Sequence, residues 1–239
     1  MKVSLFVTCL VDQFYPQIAV SAVKILEQLG IDVHFDVRQT CCGQPAFNSG
    51  FTEEAKQVGC SLLDIYKDQE WIVTPSGSCC SMMKVFLPEL LSDEPRYSEL
   101  AQNVSTRVWE FSDFLVSVLK VESMGASFGA RATYHDSCHL LRELGIQEPP
   151  RKLLNSVAGL DLQEMENSEQ CCGFGGTFSV KFAEVSSEMG RKKLQAIEQT
   201  GAQYVIAADA SCLMHLEGLI NRQKSQLKTM HIAEVLARF

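Results

Sequence analysis

The sequence predicts an α/β protein of two tandem, pseudo-symmetric small domains, each with a parallel sheet. Three observations favour this fold class: β-like runs alternate with helical periodicity, one cysteine pattern occurs twice, and the hydrophobic fraction of 46% over 239 residues is that of a globular chain. We place the domain boundary so that the first cysteine-rich module spans residues 1–126 and the second spans residues 127–239.

The repeat is carried by cysteines, of which the chain has 10. Each half contains a single cysteine, then a vicinal pair followed by glycine, then another single cysteine. These residues are Cys9, Cys41, Cys42 and Cys79 in the first half and Cys138, Cys171, Cys172 and Cys212 in the second. A pattern written twice at similar intervals predicts two modules related by a pseudo-two-fold axis.

The predicted elements follow the same order in both halves. A β-like run ends at the first single cysteine, over residues 3–8 and 132–137, and another precedes the last, over residues 71–76 and 204–209. Between these runs, apolar residues recur at helical spacing in stripes that begin at Ile18, Ala55 and Phe182, which we interpret as core faces. Strands that alternate with helices in this way predict βαβ units, and hence parallel sheets.

The carboxyl edge of each sheet is the expected place for the cysteines, because ligands of open parallel sheets gather there. Thr8, Ser78, Ser137 and Ser211 directly precede the single cysteines, and we expect them to cap helix N-termini. The partial positive charge at a helix N-terminus favours the thiolate form, which metals bind. Four thiolates per half are therefore predicted to converge.

The vicinal pairs indicate which metal this donor set suits. Structural zinc sites usually separate paired cysteines by two to four residues, whereas adjacent side chains diverge and suit a cluster whose separate irons each take one sulfur. Gly43, Gly173, Gly175 and Gly176 are the candidate cofactor-binding glycines, since bare backbone can approach a cluster and offer N–H groups to its sulfides. From the residues alone, zinc and dithiol chemistry remain open beside iron–sulfur.

The duplicated pattern resembles the cysteine-rich CCG domain family, which includes the cysteine-rich component of heterodisulfide reductase and the iron–sulfur subunits of glycolate and glycerol-3-phosphate oxidation. Residues 40–50, 171–181 and 230–236 resemble more narrowly the lactate-utilisation branch of that family. The resemblance implies one or two clusters per chain, of the [4Fe–4S] type, with the eight repeated cysteines as ligands. It also implies an oxidoreductase subunit of a cytoplasmic multi-component system that oxidises L-lactate to pyruvate, together with an iron–sulfur partner and a small third subunit.

One departure from the family pattern affects the ligand set. The cysteine-rich component of heterodisulfide reductase closes each module with Cys-x-x-Cys, whereas Met82 and His215 stand at the last positions here. His215, one helical turn after Cys212, and Cys80, beside Cys79, are therefore weaker candidate ligands. A dithiol or disulfide oxidoreductase of the heterodisulfide reductase type, or a zinc-stabilised assembly scaffold, is the alternative function.

Other residues carry smaller predictions. His135 and His139 flank Cys138 and are candidates for hydrogen bonds to a cluster, and Cys60 matches no repeat position, so we interpret it as a spare thiol. The basic run over residues 191–193 is expected to be a solvated face.

Charge and composition exclude several function classes. The net charge of -8 has the wrong sign for binding nucleic acid. No apolar stretch approaches the roughly 18 residues of a membrane-spanning helix, and no phosphate- or dinucleotide-binding motif is present. We expect a soluble cytoplasmic protein in which the cysteines stay reduced.

Overall fold

The computed structural model describes residues 1–239 and contains two four-stranded sheets. The first sheet has β1 (Lys2–Leu5), β2 (Asp32–His34), β3 (Ile72–Thr74) and β4 (Val108–Glu110), and the second has β5 (Ser127–Tyr134), β6 (Ala158–Leu162), β7 (Tyr204–Ala207) and β8 (Lys228–His231). The strand orders are β2-β1-β3-β4 and β6-β5-β7-β8, and every neighbouring pair is parallel. The predicted α/β fold with two matching parallel sheets is confirmed.

Helices connect the strands on both faces of the sheets. They are α1 (Cys9–Phe14), α2 (Pro16–Gln28), α3 (Gln44–Asn48), α4 (Thr52–Tyr66), α5 (Gly77–Ser81), α6 (Leu87–Leu90), α7 (Ser98–Ser105), α8 (Phe111–Asp113), α9 (Glu148–Asn155), α10 (Phe178–Lys181), α11 (Ala183–Gln199), α12 (Ala210–Gln223) and α13 (Ile232–Leu236). Short π-helical turns cover Met82–Phe86, Phe114–Val118 and His139–Glu143. None of the helices combines the length and apolar character that crossing a membrane requires.

The two halves have the same strand register. Ser4 of β1 pairs with Ile72 of β3, and Thr133 of β5 pairs with Val205 of β7. Two residues further along each strand, Phe6 N donates to Val73 O and His135 N donates to Ile206 O, both at 2.8 Å. Phe6 and His135 therefore occupy equivalent positions, three residues before the first cysteine of each repeat.

The hydrophobic core consists mainly of one large cluster at the interface between the halves and a smaller cluster within each half. A cluster of 27 buried residues draws on both sheets, so it forms one continuous core across the pseudo-two-fold axis. The C-terminal helix α13 packs against α2 of the first half. Two smaller clusters lie behind the cysteines, one around Cys42 and Cys79 and the other around Cys172 and Cys212.

Candidate metal centres at the sheet edges

The first group of cysteines converges beyond the carboxyl ends of β1 and β3. Cys9 begins α1, the pair Cys41 and Cys42 lies in the loop before α3, and Cys79 lies in the single turn of α5. Cys9 Sγ is 3.7 Å from Cys41 Sγ, and the neighbouring thiols of Cys41 and Cys79 both raise the pKa of Cys42. The four predicted residues of this half thus form one chain of contacts.

The second group repeats this arrangement beyond β5 and β7. Cys171 raises the pKa of Cys138, and Cys171 and Cys212 raise that of Cys172, so these thiols again lie beside one another. The second residue of each vicinal pair and the last cysteine of each repeat are buried, and the other four are half-buried. None of the ten cysteines in the chain forms a disulfide.

Within each group, interactions between thiols lower the pKa of one cysteine and raise the pKa of others. The pKa of Cys41 is lowered mainly by hydrogen bonds from the thiols of Cys42 and Cys9, and the Gly43 N–H adds to this effect. The pKa of Cys171 is lowered in the same way by Cys138 and Cys172. Because metal ions bind thiolates, each group holds at least one sulfur already in the binding form and further protons that a metal would displace.

The loop after each vicinal pair depends on glycine. Gly43 and Gly173 have φ angles of 89° and 94°, and a Cβ atom at Gly173 would lie 2.5 Å from the carbonyl oxygen of Ser186. The Gly173 N–H donates to Cys171 Sγ at 3.3 Å. These two glycines thus allow the backbone to turn tightly beside the sulfurs.

All eight repeated cysteines line one cavity of about 360 Å³ between the halves. Gly175 and Gly176 also line it, as does His139, whose Nδ1 is 3.9 Å from Cys138 Sγ. The two groups therefore open onto a shared space and not onto separate surfaces.

Neither of the two weaker candidate ligands lines this cavity. His215 directs Nε2 toward Ser186 Oγ at 3.4 Å, and its ring lies against Phe174. Cys80 is buried and borders a different cavity together with Glu110 and Lys84. Met82, at the position equivalent to His215, is buried in the apolar cluster behind the first group.

The helix caps differ from the prediction. Thr8 accepts from Val11 N and caps α1 as expected, but Ser76 caps α5 and Asp209 caps α12. Because Gly77 and Ala210 are already helical, these caps lie two residues before Ser78 and Ser211. The predicted cap at Ser137 is also wrong, since the buried hydroxyl of Ser137 has no hydrogen-bond partner.

Asp209 also links the two halves, a role that the sequence did not indicate. Its Oδ1 accepts from Ser211 N at 3.1 Å, and its Oδ2 accepts from Ser78 N of the first half at 2.8 Å. This buried carboxylate therefore bonds to the N-terminal turns of the two helices that carry Cys79 and Cys212. An acidic residue that follows a strand is a common N-cap, but only the contact between halves shows the second bond.

Two basic residues lie behind the second group. His135 is fully buried, neither ring nitrogen has a hydrogen-bond partner, and one lies within 4.8 Å of the sulfurs of Cys172 and Cys212. Lys193 is also fully buried, so the expected solvated face is wrong at this residue, although Arg191 is exposed. The Lys193 ammonium donates to the carbonyls of residues 167 and 168.

The sequence comparisons agree with the repeat. The cysteine-rich domain model, CCG, matches residues 3–84 and 132–217. Lactate utilization protein A of Geobacillus thermodenitrificans (strain NG80-2) is 48% identical over 236 residues, which cover 99% of this chain and 98% of that protein. The chain belongs to the lactate utilization protein A family of cysteine-rich domain proteins. The family member from Bacillus subtilis (strain 168) is 46% identical, with 99% of both chains covered.

Membership of this family confirms the resemblance seen in the motifs around Cys41 and Cys171. Among solved structures, a hypothetical protein from Helicobacter pylori shares the fold, with a TM-score of 0.65 over 97% of this chain and 13% sequence identity. The chain spans about half of that protein, 47% of its length. At this identity the likeness concerns the fold alone.

Proposed function

We propose that this protein is the iron–sulfur electron-transfer component of a cytoplasmic, multi-component system that oxidises L-lactate to pyruvate. The observation that carries the proposal is the convergence of eight free thiols, in two groups of four, on one cavity. The lactate assignment is supported by the name of the relatives, lactate utilization protein A, which align over almost the whole chain.

The geometry of the vicinal pairs supports iron–sulfur over a single zinc ion. Cys41 is half-buried with its Sγ 3.7 Å from Cys9 Sγ, whereas the adjacent Cys42 is buried in the apolar cluster that contains Cys79. Adjacent cysteines do not have the two-to-four-residue spacing of tetrahedral zinc sites, whereas the separate irons of one cluster can each take one of the two sulfurs.

The electrostatics of the second group also fit an anionic cluster. Lys193 is a buried cation that takes part in none of the ion pairs of the structure, and His135 has two unpartnered ring nitrogens beside Cys172 and Cys212. Buried charges and polar groups are costly unless they are compensated. A thiolate-ligated cluster supplies the negative charge that Lys193 lacks and an acceptor for the N–H of His135.

The proposed ligands are the eight repeated cysteines, four in each half. When bound, such clusters accept and release single electrons. The chain contributes sulfur ligands, the N–H groups of Gly43 and Gly173 directed at Cys41 and Cys171, and the buried walls around Cys42 and Cys172. Hydrogen bonds and burial of this kind adjust a reduction potential.

The proposed system places the remaining chemistry in other subunits. Oxidation of L-lactate to pyruvate releases two electrons and two protons, and an iron–sulfur partner and a small third subunit are the expected companions of this chain. The ten free cysteines support a reducing compartment such as the cytoplasm.

Iron and acid-labile sulfide in anaerobically purified protein test the proposal, together with visible absorbance before and after dithionite. We expect about eight of each per chain for two [4Fe–4S] clusters. The variants Cys42→Ser and Cys172→Ser should each lose about half of the iron, and Cys60→Ser should lose none, because Cys60 does not line the cavity.

Absence of iron after reconstitution would overturn this assignment. Stoichiometric zinc in the same sample would then favour an assembly scaffold. Colourless, zinc-free protein would favour dithiol chemistry, for which the lowered pKa values of Cys41 and Cys171 supply the thiolates.

A further inference from the structure

We infer that the two centres are unequal and that the centre in the second half has the higher reduction potential. The four-cysteine sets match, but side chains at equivalent positions behind them are apolar in the first half and basic in the second. This inference rests on the proposed iron–sulfur function and adds to it a direction for the electron within the chain.

The first pair of equivalent positions is Phe6 and His135. Both follow the first strand of their sheet, both are fully buried, and both donate the same backbone hydrogen bond at 2.8 Å. Phe6 belongs to the apolar cluster around Cys42, whereas the imidazole of His135 lies within 4.8 Å of the sulfurs of Cys172 and Cys212. A neutral imidazole always carries one N–H, so His135 brings a donor that the first half lacks.

The second pair is Leu62 and Lys193. The glycine loops establish this equivalence, because Gly43 lies against Ala55 and Gly173 lies against Ser186. Leu62 comes seven residues after Ala55, and Lys193 comes seven residues after Ser186. Leu62 packs among apolar residues in α4. Lys193 places an ammonium in the same position of α11, 3.8 Å from the sulfur of Met165, which belongs to the apolar cluster around Cys172 and Cys212. Burial lowers the pKa of Lys193, and the charges that raise it are those of Cys172, Glu169, Asp136 and Cys212.

The third pair, Met82 and His215, shows the same difference: the residue of the first half is apolar and that of the second is basic. Met82 is fully buried in the apolar cluster, and His215 lies half-buried, with its ring against Phe174 at the cavity wall. His215 directs Nε2 at Ser186 and not at the sulfurs, so we assign the main effect to His135 and Lys193.

Two buried carboxylates near the second group do not cancel this difference. Asp136 is paired with Arg151 through two hydrogen bonds of 2.8 and 2.7 Å, which neutralises it. Asp209 acts on Cys138 and Cys212, and the N–H groups of Ser78 and Ser211 that donate to it offset part of its charge. Glu169 also acts on Lys193, but it is exposed and its charge is screened by solvent. The ammonium of Lys193 is therefore left without a paired carboxylate.

The physical consequence concerns the reduced state. Adding one electron makes a thiolate-ligated cluster more negative, and a fixed cation and N–H donors in a low-dielectric interior stabilise that state. In a chain that holds a single electron, the electron should therefore reside in the second half. Transfer from the first centre oxidises that centre, reduces the second, and needs no further reactant.

Redox titration of the two centres in isolation tests the inference. The variant Cys41→Ser/Cys42→Ser retains the second centre, and Cys171→Ser/Cys172→Ser retains the first. Each is titrated anaerobically with dithionite and followed by electron paramagnetic resonance, with iron content measured on the same samples. We expect the second centre to be favoured at least tenfold, which is about 59 mV for a one-electron couple.

Substitutions that copy the first half into the second identify the cause. In the variant that retains the second centre, Lys193→Leu copies Leu62 and His135→Phe copies Phe6, and each should lower the potential toward that of the first centre. Lys192→Leu is the matched control, because Lys192 is exposed on the same helix and should leave the potential unchanged. The two substitutions act independently, so failure of one to fold leaves the other as the test.

The outcomes separate this inference from the function on which it rests. Lack of iron in the wild-type chain after reconstitution overturns the proposed function and the inference together. Iron in both halves with equal potentials, or with the first centre higher, overturns the inference alone. A wild-type chain that binds iron in only one half overturns it as well.

Discussion

The ring of His231 is fully buried at the start of the last helix, α13. Its Nδ1 accepts from Ala233 N at 3.1 Å, and its own backbone N–H donates to the Glu234 carboxylate at 3.0 Å, which completes a capping box. Nε2 carries the proton and faces the carbonyls of Pro75 and Ala208 without a well-aligned hydrogen bond. Histidine here acts as an acceptor cap, so it is needed in the neutral form.

A pH dependence of stability follows from this burial, which lowers the pKa of His231 from 6.5 to about 4. The neutral native ring contributes its full stability above pH 6.5. As the pH falls from 6.5 toward 4, the unfolded chain takes up a proton that the native chain excludes, and stability is lost. Between pH 7 and pH 5 this loss amounts to about 2 kcal/mol.

His231→Asn keeps a capping acceptor but removes the titrating ring, so its stability should lack this part of the pH dependence. The measurement is urea unfolding of the wild type and the variant at pH 7 and pH 5. The difference between the two proteins isolates His231 from Glu110, whose buried carboxyl has a raised pKa and acts in the opposite direction. An equal loss of stability in both proteins would show that His231 does not titrate in this way.

Lys193 shows where the sequence is misleading at the scale of a residue. It follows Arg191 and Lys192, and three consecutive basic residues are typical of a solvated face. The structure buries Lys193 because its helix presents this residue where α4 presents Leu62. The burial of Lys193 could have been predicted by aligning the two halves, but not from the local sequence pattern.

At the scale of elements, the strands and their order were predictable, because the repeated β-like runs and the helical stripes fix a βαβ topology. The residues at which the helices begin were less predictable. Ser78 and Ser211 are good capping residue types, but Ser76 and Asp209 are equally good and come first in the chain. Residue type alone does not decide between two candidates separated by a single helical residue.

Asp209→Ala should cost more than the loss of an ordinary cap. The substitution removes the acceptor of Ser211 N at the start of α12 and that of Ser78 N in α5. Ser76→Ala removes a hydroxyl that accepts from Cys79 N at 3.3 Å, donates to Asp209 Oδ2 at 3.3 Å and lies 3.1 Å from Ser78 Oγ, all of them long bonds. From the usual worth of a cap we expect a loss of about 1 kcal/mol for Ser76→Ala and about twice that for Asp209→Ala.

Urea unfolding of both variants measures these losses. Asp209→Asn is the matched control, because an amide oxygen keeps one acceptor and should restore part of the stability. If Asp209→Ala costs no more than Ser76→Ala, the bond from Ser78 N to Asp209 adds nothing to the stability that an ordinary cap supplies.

At the scale of the whole molecule, the repeat predicted two modules but not how they join. The cysteine spacings place four thiols at each sheet edge, and the structure adds that both edges face one cavity. The packing of α13 on α2 also lies outside what the pattern specifies, since each helix has an apolar face that could cover its own sheet. Contacts between repeats depend on side-chain shape, which periodicity does not encode.

Separate expression of residues 1–126 and 127–239 tests whether the halves are independent domains. The 27-residue core contains Ala22, Ile25 and Leu26 of α2 together with Val235 and Leu236 of α13. Each fragment alone would expose its part of this core, and apolar burial is the main favourable contribution to folding. We therefore expect neither fragment to fold alone, and co-expression to restore a folded complex.

Far-UV circular dichroism during urea unfolding and size-exclusion chromatography of each fragment provide the measurement, with the co-expressed pair as the control for the cut itself. Cooperative unfolding of either fragment alone would show that a single sheet and its helices suffice. The boundary at residue 126 would then separate true domains. If neither fragment folds alone, neither half can leave the other without unfolding. The shared core then explains why the two cysteine groups stay opposed across one cavity.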